Sequence, residues 1–194
     1  METNLSLVVA PAHLIGVRET LRDWQVSGLV SDFIWIPVEA QDMGRNLNAQ
    51  LVSNGSLKPV DVRYLSGQVQ YSRIGVLVLG AVTGSERDAT RLSKTGEVGS
   101  FVRDVVTQDF GAAQVSAIRA VFATEDSSNK VELPDSNGWV DVVLSPSDSK
   151  GPRVGSRPVN SSNIAEVCAF LASQVAPLAG MWDSVPQGTL DDLQ

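Results

Sequence analysis

Three stretches of this chain are apolar almost without interruption: "LSLVVA" (residues 5–10), "FIWIPV" (33–38) and "IGVLVLG" (74–80). A strand with one wet face alternates apolar and polar side chains, whereas an unbroken branched run needs cover on both faces. Between the first two runs the period changes. Leu14, Val17, Leu21 and Trp24 recur three or four residues apart, as on one face of a helix, and Gly28 marks its stop. Pro37 marks the end of the second run. Strand, helix and strand in this order predict parallel pairing through a right-handed crossover.

Further along, Val98, Phe101, Val102, Val105, Val106 and Phe110 form a second helical stripe ended by Gly111, and "VSAIRAVFA" (115–123) reads as another strand. A last helix is expected over residues 162–176, with Ile164, Val167, Cys168, Leu171 and Val175 on its buried face. In residues 40–70, Met43, Leu47 and Leu51 suggest a short helix closed by "SNGS", and "VDVRYL" (60–65) a half-exposed strand. "NKVELPDSNGWVDVVLS" (129–145) reads as a turn at Pro134–Gly138 leading into an edge or antiparallel strand. The expected fold is α/β: a three-layer sandwich, with helices on both faces of a mainly parallel sheet that has room for one antiparallel edge strand. Residues 1–180 are expected to form one domain, and residues 181–194 a tail or linker leading to further domains.

Composition narrows the function. A chain of 194 residues buries roughly 70 % of its unfolded surface, so it needs no disulfide or metal staple. The net charge of −7 opposes broad contact with phosphate backbones, so no nucleic-acid partner is expected. The single cysteine, Cys168, excludes an internal disulfide framework and suits the cytoplasm, in which the sequons at Asn4, Asn54 and Asn160 are chance matches. No run approaches the roughly 18 apolar residues of a membrane span, and residues 5–12 lack the basic flank of a secretory signal, so no membrane contact is expected.

The most suggestive stretch is "VLVLGAVTGSERDATR" (76–91), laid out as a strand, a glycine turn and the start of a helix. A Walker loop needs a lysine to neutralise the β- and γ-phosphates and a Ser or Thr for magnesium, and here Ser85 is followed by Glu86. The three-glycine dinucleotide fingerprint is missing as well. Thr83 and Glu86 instead have the spacing of a capping box, and Glu86 and Asp88 complement the helix dipole. Those carboxylates oppose a bound phosphate, while Arg87 and Arg91, one turn apart, offset them. A plain cap is the expected reading, and a small anion held by Thr83, Gly84, Ser85, Arg87 and Arg91 is the alternative.

His13, the sole histidine, follows the first strand, where α/β proteins collect functional residues; local packing is its plainer role. No G-x-S-x-G elbow supplies a nucleophile. Cys168 lies on an apolar helix face and reads as core, and one His with one Cys exclude an ordinary zinc site. Magnesium at Glu39, Asp126 or Asp148 has nothing to select it, so no cofactor is expected. The loop at 145–160 is expected to lack regular structure; its Lys150, Arg153 and Arg157 face only Asp148 in sequence, which suits an anionic ligand or an acidic partner. Trp24 and Trp35 read as core anchors, while Trp139 and Trp182 would mark a binding surface if exposed.

The function expected from these features is a non-catalytic α/β binding domain, a regulatory or protein-interaction module of a larger cytoplasmic protein, with a protein partner or self-association. The rival is an enzyme or a nucleotide- or anion-binding domain using His13, Thr83, Ser85 and Arg87 at the carboxyl ends of the strands. A third reading is a structural subunit that assembles through an exposed edge strand.

Overall fold

The computed structural model describes residues 3–123, 138–144, 153–154, 157–160 and 162–178. The three apolar runs become strands β1 (Asn4–Ala10), β2 (Phe33–Pro37) and, after the hairpin β3 (Asn48–Ser53) and β4 (Ser56–Asp61), β5 (Arg73–Val82). They are followed by β6 (Gln114–Ala123) and β7 (Val140–Leu144). The helices are α1 (Ile15–Val26), the single turn α2 (Val62–Leu65), α3 (Asp88–Asp109) and α4 (Ile164–Leu178). One seven-stranded sheet runs in the order β4-β3-β2-β1-β5-β6-β7. Strands β2, β1, β5, β6 and β7 are mutually parallel, and the β3–β4 hairpin forms the antiparallel edge.

Successive side chains along each central strand enter different cores, which is why the runs lack polar alternation. On one face, Val8, Phe33, Trp35, Leu77, Leu79 and Phe122 pack with Val17 and Leu21 of α1 and with Val167, Cys168 and Leu171 of α4. On the other, Leu7, Ile34, Ile36, Val76 and Val78 pack with Val98, Val102 and Val106 of α3. The layered α/β arrangement expected from the sequence is therefore present. All of Val76, Leu77, Val78 and Leu79 are at most 4 % exposed. Helix α3 lies so close to the sheet that a methyl group added at Gly99 would sit 2.7 Å from Val78 Cγ2.

Several local expectations are corrected. The helix expected on Met43, Leu47 and Leu51 is absent; Leu51 lies in β3, because the Asn54-Gly55 pair adopts positive φ at both positions (49° and 72°) and closes a tight hairpin. The strand expected at 60–65 ends at Asp61, whose carboxylate accepts from the Arg63 and Leu47 amides and starts α2. Of the two alternatives for strand β7, an edge or an antiparallel strand, the first holds: among the described residues it lies at the sheet edge, parallel to β6. It is pinned by a two-pronged ion pair in which Arg119 Nε and Nη2 donate to Asp141 at 2.6 and 2.9 Å. Ile164, expected on the buried face of the last helix, is 45 % exposed because α4 starts there. The loop at 145–160 contains a small ribbon in which β8 (Arg153–Val154) pairs antiparallel with β9 (Arg157–Pro158).

Candidate functional site

From β1 the chain leaves through α1 on one face to reach β2; from β5 it leaves through α3 on the other face to reach β6. The direction of winding therefore reverses between the adjacent strands β1 and β5. At such a switch point the two departing loops part and leave a crevice outside the carboxyl ends of the strands. Here the two departing loops are Pro11–Leu14, where β1 runs into a short 3-10 turn, and Thr83–Arg87, where β5 runs into α3.

Both loops are tied down by the chain's own carboxylates. Asp88 Oδ2 accepts from the Thr83 and Gly84 amides, each at 3.0 Å. Glu39, in the turn after β2, accepts from the Ala12 amide through both oxygens, also at 3.0 Å. The capping box expected from Thr83 and Glu86 is thus corrected. Helix α3 starts at Asp88, and its first carboxylate reaches back to the loop amides without help from the Thr83 hydroxyl. The cause is the bend at Gly84, at φ +88°, which turns the loop amides toward Asp88. Ser85 Oγ makes a smaller local turn by accepting from the Arg87 amide at 3.3 Å.

Around these bonds several polar groups have no partner. Among the described residues neither the His13 ring nor the Arg91 guanidinium makes a side-chain hydrogen bond or an ion pair, and both are half-buried. Asp88 is 7 % exposed, and its Oδ1 is buried without a partner. His13 feels all three neighbouring charges. Burial and then Arg91 hold its pKa below the ordinary value of a histidine, against the pull of Glu39 and Asp88.

Of the residues singled out in the sequence, the fold brings His13, Thr83, Gly84, Ser85, Arg87 and Arg91 to one edge of the sheet. Arg153 and Arg157 sit on the β8–β9 ribbon, of which β8 lies against α4, and Lys150, Asp126, Asp148 and Trp182 lie outside the described residues. Cys168 is core: α1 covers it, and burial pushes its thiol pKa up. Trp139 is buried between the Arg103 and Arg119 guanidinium groups, 5.0 and 5.5 Å from its ring centre, and offers no docking surface. Sequence reasoning missed the bracing roles of Glu39 and Asp88, since Glu39 lies 27 residues from the amide it holds.

Among the described residues no cluster of three or more His, Cys, Asp or Glu side chains is placed to hold a metal ion, and no helix is long and apolar enough to cross a membrane. Concavities lie at the opposite, amino edge. One of about 430 Å³ is lined by residues such as Arg103, Thr107 and Gly111, and another of about 630 Å³ by Tyr71, Asp109 and Phe110. Compared with family models, with curated proteins and with solved structures, the chain matches none.

Proposed function

We propose that the chain is a non-catalytic α/β binding domain, a regulatory or protein-interaction module, whose ligand site is the crevice between the carboxyl ends of β1 and β5. The observation that supports this best is the group of polar side chains left without partners at the switch point: His13, Arg91 and Asp88 Oδ1. Of these only Asp88 Oδ1 is fully buried, and a buried acceptor without a partner costs about 1–3 kcal/mol, which a donor on a ligand would relieve. The reversal of winding between the neighbouring strands β1 and β5 supports the reading, since in open α/β sheets ligands enter at such a place.

Binding is favoured over catalysis by the chemistry of the crevice. An activated nucleophile needs a base within hydrogen-bond reach of a hydroxyl or thiol. The His13 ring bonds to neither, and Cys168 is sealed between α1 and the sheet. The test is a panel of anionic, cationic and neutral small molecules added to isotope-labelled protein, followed through its amide signals. A ligand of this site moves the Ala12, Thr83, Gly84 and Ser85 signals together. Ligands that move only amino-edge signals, such as those of Gly111 and Ala113, would overturn the assignment.

A second reading, association through the sheet edge, is favoured by β7. Val140 and Val143 are 61 and 44 % exposed, and among the described residues no strand pairs with its outer side. Val143→Lys would then abolish a concentration-dependent change in sedimentation that the parent chain shows.

A further inference from the structure

We propose that Asn54-Gly55 is a deamidation site that the fold holds shut. Gln25 and Arg22 of α1 clamp the peptide groups of Gly55, and Asn54 is converted to aspartate and isoaspartate only when that clamp opens.

The reaction needs nothing but water. The Gly55 backbone nitrogen attacks Asn54 Cγ and loses its proton, the bond from Cγ to Nδ2 breaks, and ammonia leaves. Water then opens the five-membered imide at either carbonyl. One opening gives aspartate; the other gives isoaspartate, in which the main chain runs through the former side chain. An asparagine followed by glycine is especially prone to this, because no Cβ on the second residue crowds the attacking nitrogen. Asn54 meets the local requirements: it is exposed, its side chain makes no hydrogen bond among the described residues, and Gly55 follows it.

The attacking nitrogen is the part that is held. Gly55 is buried, and its N–H donates to Gln25 Oε1 at 3.0 Å. Gln25 is itself fixed: it is 7 % exposed, and its Nε2 donates to the Val52 carbonyl at 2.8 Å and to Asp32 Oδ1 at 3.1 Å. One turn earlier on α1, Arg22 Nε donates to the Gly55 carbonyl. A buried N–H bonded to an amide oxygen has no solvent base to take its proton. To face Cγ the nitrogen must swing about the Asn54 Cα–C bond. The planar peptide swings with it, which breaks the Gln25 bond. The turn also lies close on α1, since a methyl group added at Gly55 would sit 2.5 Å from Val26 Cγ2.

Without this clamp the turn would be the loose tip of a hairpin at the sheet edge, where local opening costs least. The clamp therefore sets the rate, and the product has a structural consequence. Isoaspartate lengthens the main chain by one carbon inside the tight turn, which disrupts the pairing of Ser53 with Ser56.

The test ages the whole chain in native buffer and, at matched pH and temperature, in urea. Peptide mapping by chromatography and mass spectrometry resolves the Asn, Asp and isoAsp forms of residue 54. Conversion is expected to be about tenfold or more slower in native buffer, because the reaction waits for local opening, and the Gly55 amide should exchange its hydrogen slowly in step. Gln25→Ala removes the acceptor, and Arg22→Ala removes a half-exposed grip with little effect on the core. Each should speed native conversion by about threefold or more. Val106→Ala, in the core on the other face of the sheet, lowers global stability without touching the clamp, and should leave the native rate unchanged while the protein stays folded. Native conversion as fast as in urea, or none in urea, would overturn the proposal. So would a folded Arg22→Ala that ages like the parent, whether or not Gln25→Ala folds. An equal acceleration by Val106→Ala would overturn it too, since global unfolding would then be the gate.

Discussion

Gly99→Ala tests the packing that sets α3, and with it Asp88 and Arg91, against the sheet. In an unhindered helix interior this change stabilises by about 0.8–1.0 kcal/mol, since glycine is the poorer helix former. At Gly99 the new methyl carbon would lie 2.7 Å from Val78 Cγ2 and 3.3 Å from Val78 Cγ1. Comfortable carbon contacts lie at about 3.5–4.0 Å, so the overlap approaches ~1 Å. Val78 is β-branched and 4 % exposed, so it has little freedom to turn aside. Overpacking of this kind costs about 1–3 kcal/mol, and subtracting the propensity gain leaves a net loss of about 0–2 kcal/mol.

The decisive measurement is a cycle with Val78→Ala. That change removes both close carbons and leaves Val78 Cβ at 3.6 Å, an ordinary contact. In the Val78→Ala background Gly99→Ala should become stabilising by up to about 1 kcal/mol, giving a coupling of about 1–3 kcal/mol between the two sites. Urea unfolding of the four proteins at pH 7 measures this directly. Gly99→Ala having the same effect in both backgrounds would refute the close approach of α3 to β5.

Three further outcomes are expected. Asp88→Ala should destabilise by about 0.5–2 kcal/mol, while Thr83→Ala, whose hydroxyl makes no bond to the loop, should stay within about 0.5 kcal/mol of the parent; the reverse ranking in urea unfolding would restore the capping box. Cys168, buried and with its thiol pKa raised, should react slowly with a thiol reagent in native buffer and quickly in denaturant; rapid native labelling would contradict its place under α1. Since the folded state holds the His13 pKa below its ordinary value, the unfolded chain binds the extra proton first. Stability should therefore fall as pH drops from the unfolded pKa, about 6.5, toward the folded one, and His13→Gln should flatten that part of the stability–pH curve.

What the sequence determined by itself was the layering. Residues 5–10, 33–38 and 74–80 have no wet face, and the stripes at 14–24 and 98–110 have one, so a sheet covered on both sides was dictated by where apolar area could be hidden. The candidate site was legible only as a place: His13 and the Thr83–Arg91 stretch were marked by following strands, because loops at carboxyl ends converge whatever their residues. Their joining at one crevice depended on β1 and β5 being neighbours with departures to different faces, a pairing that no local pattern encodes. Local signals misled where a distant partner competed. Thr83 and Glu86 fit a capping box, yet the bend at Gly84 turned the Thr83 and Gly84 amides onto Asp88, where the helix starts two residues past Glu86. Residues 43–51 had spacing that suits a helix, but the Asn54-Gly55 turn and the open edge of β2 drew them into a hairpin. Glu39 could brace Ala12 only once β2 lay beside β1, since the bond joins residues far apart in the chain and its geometry exists only in the folded sheet.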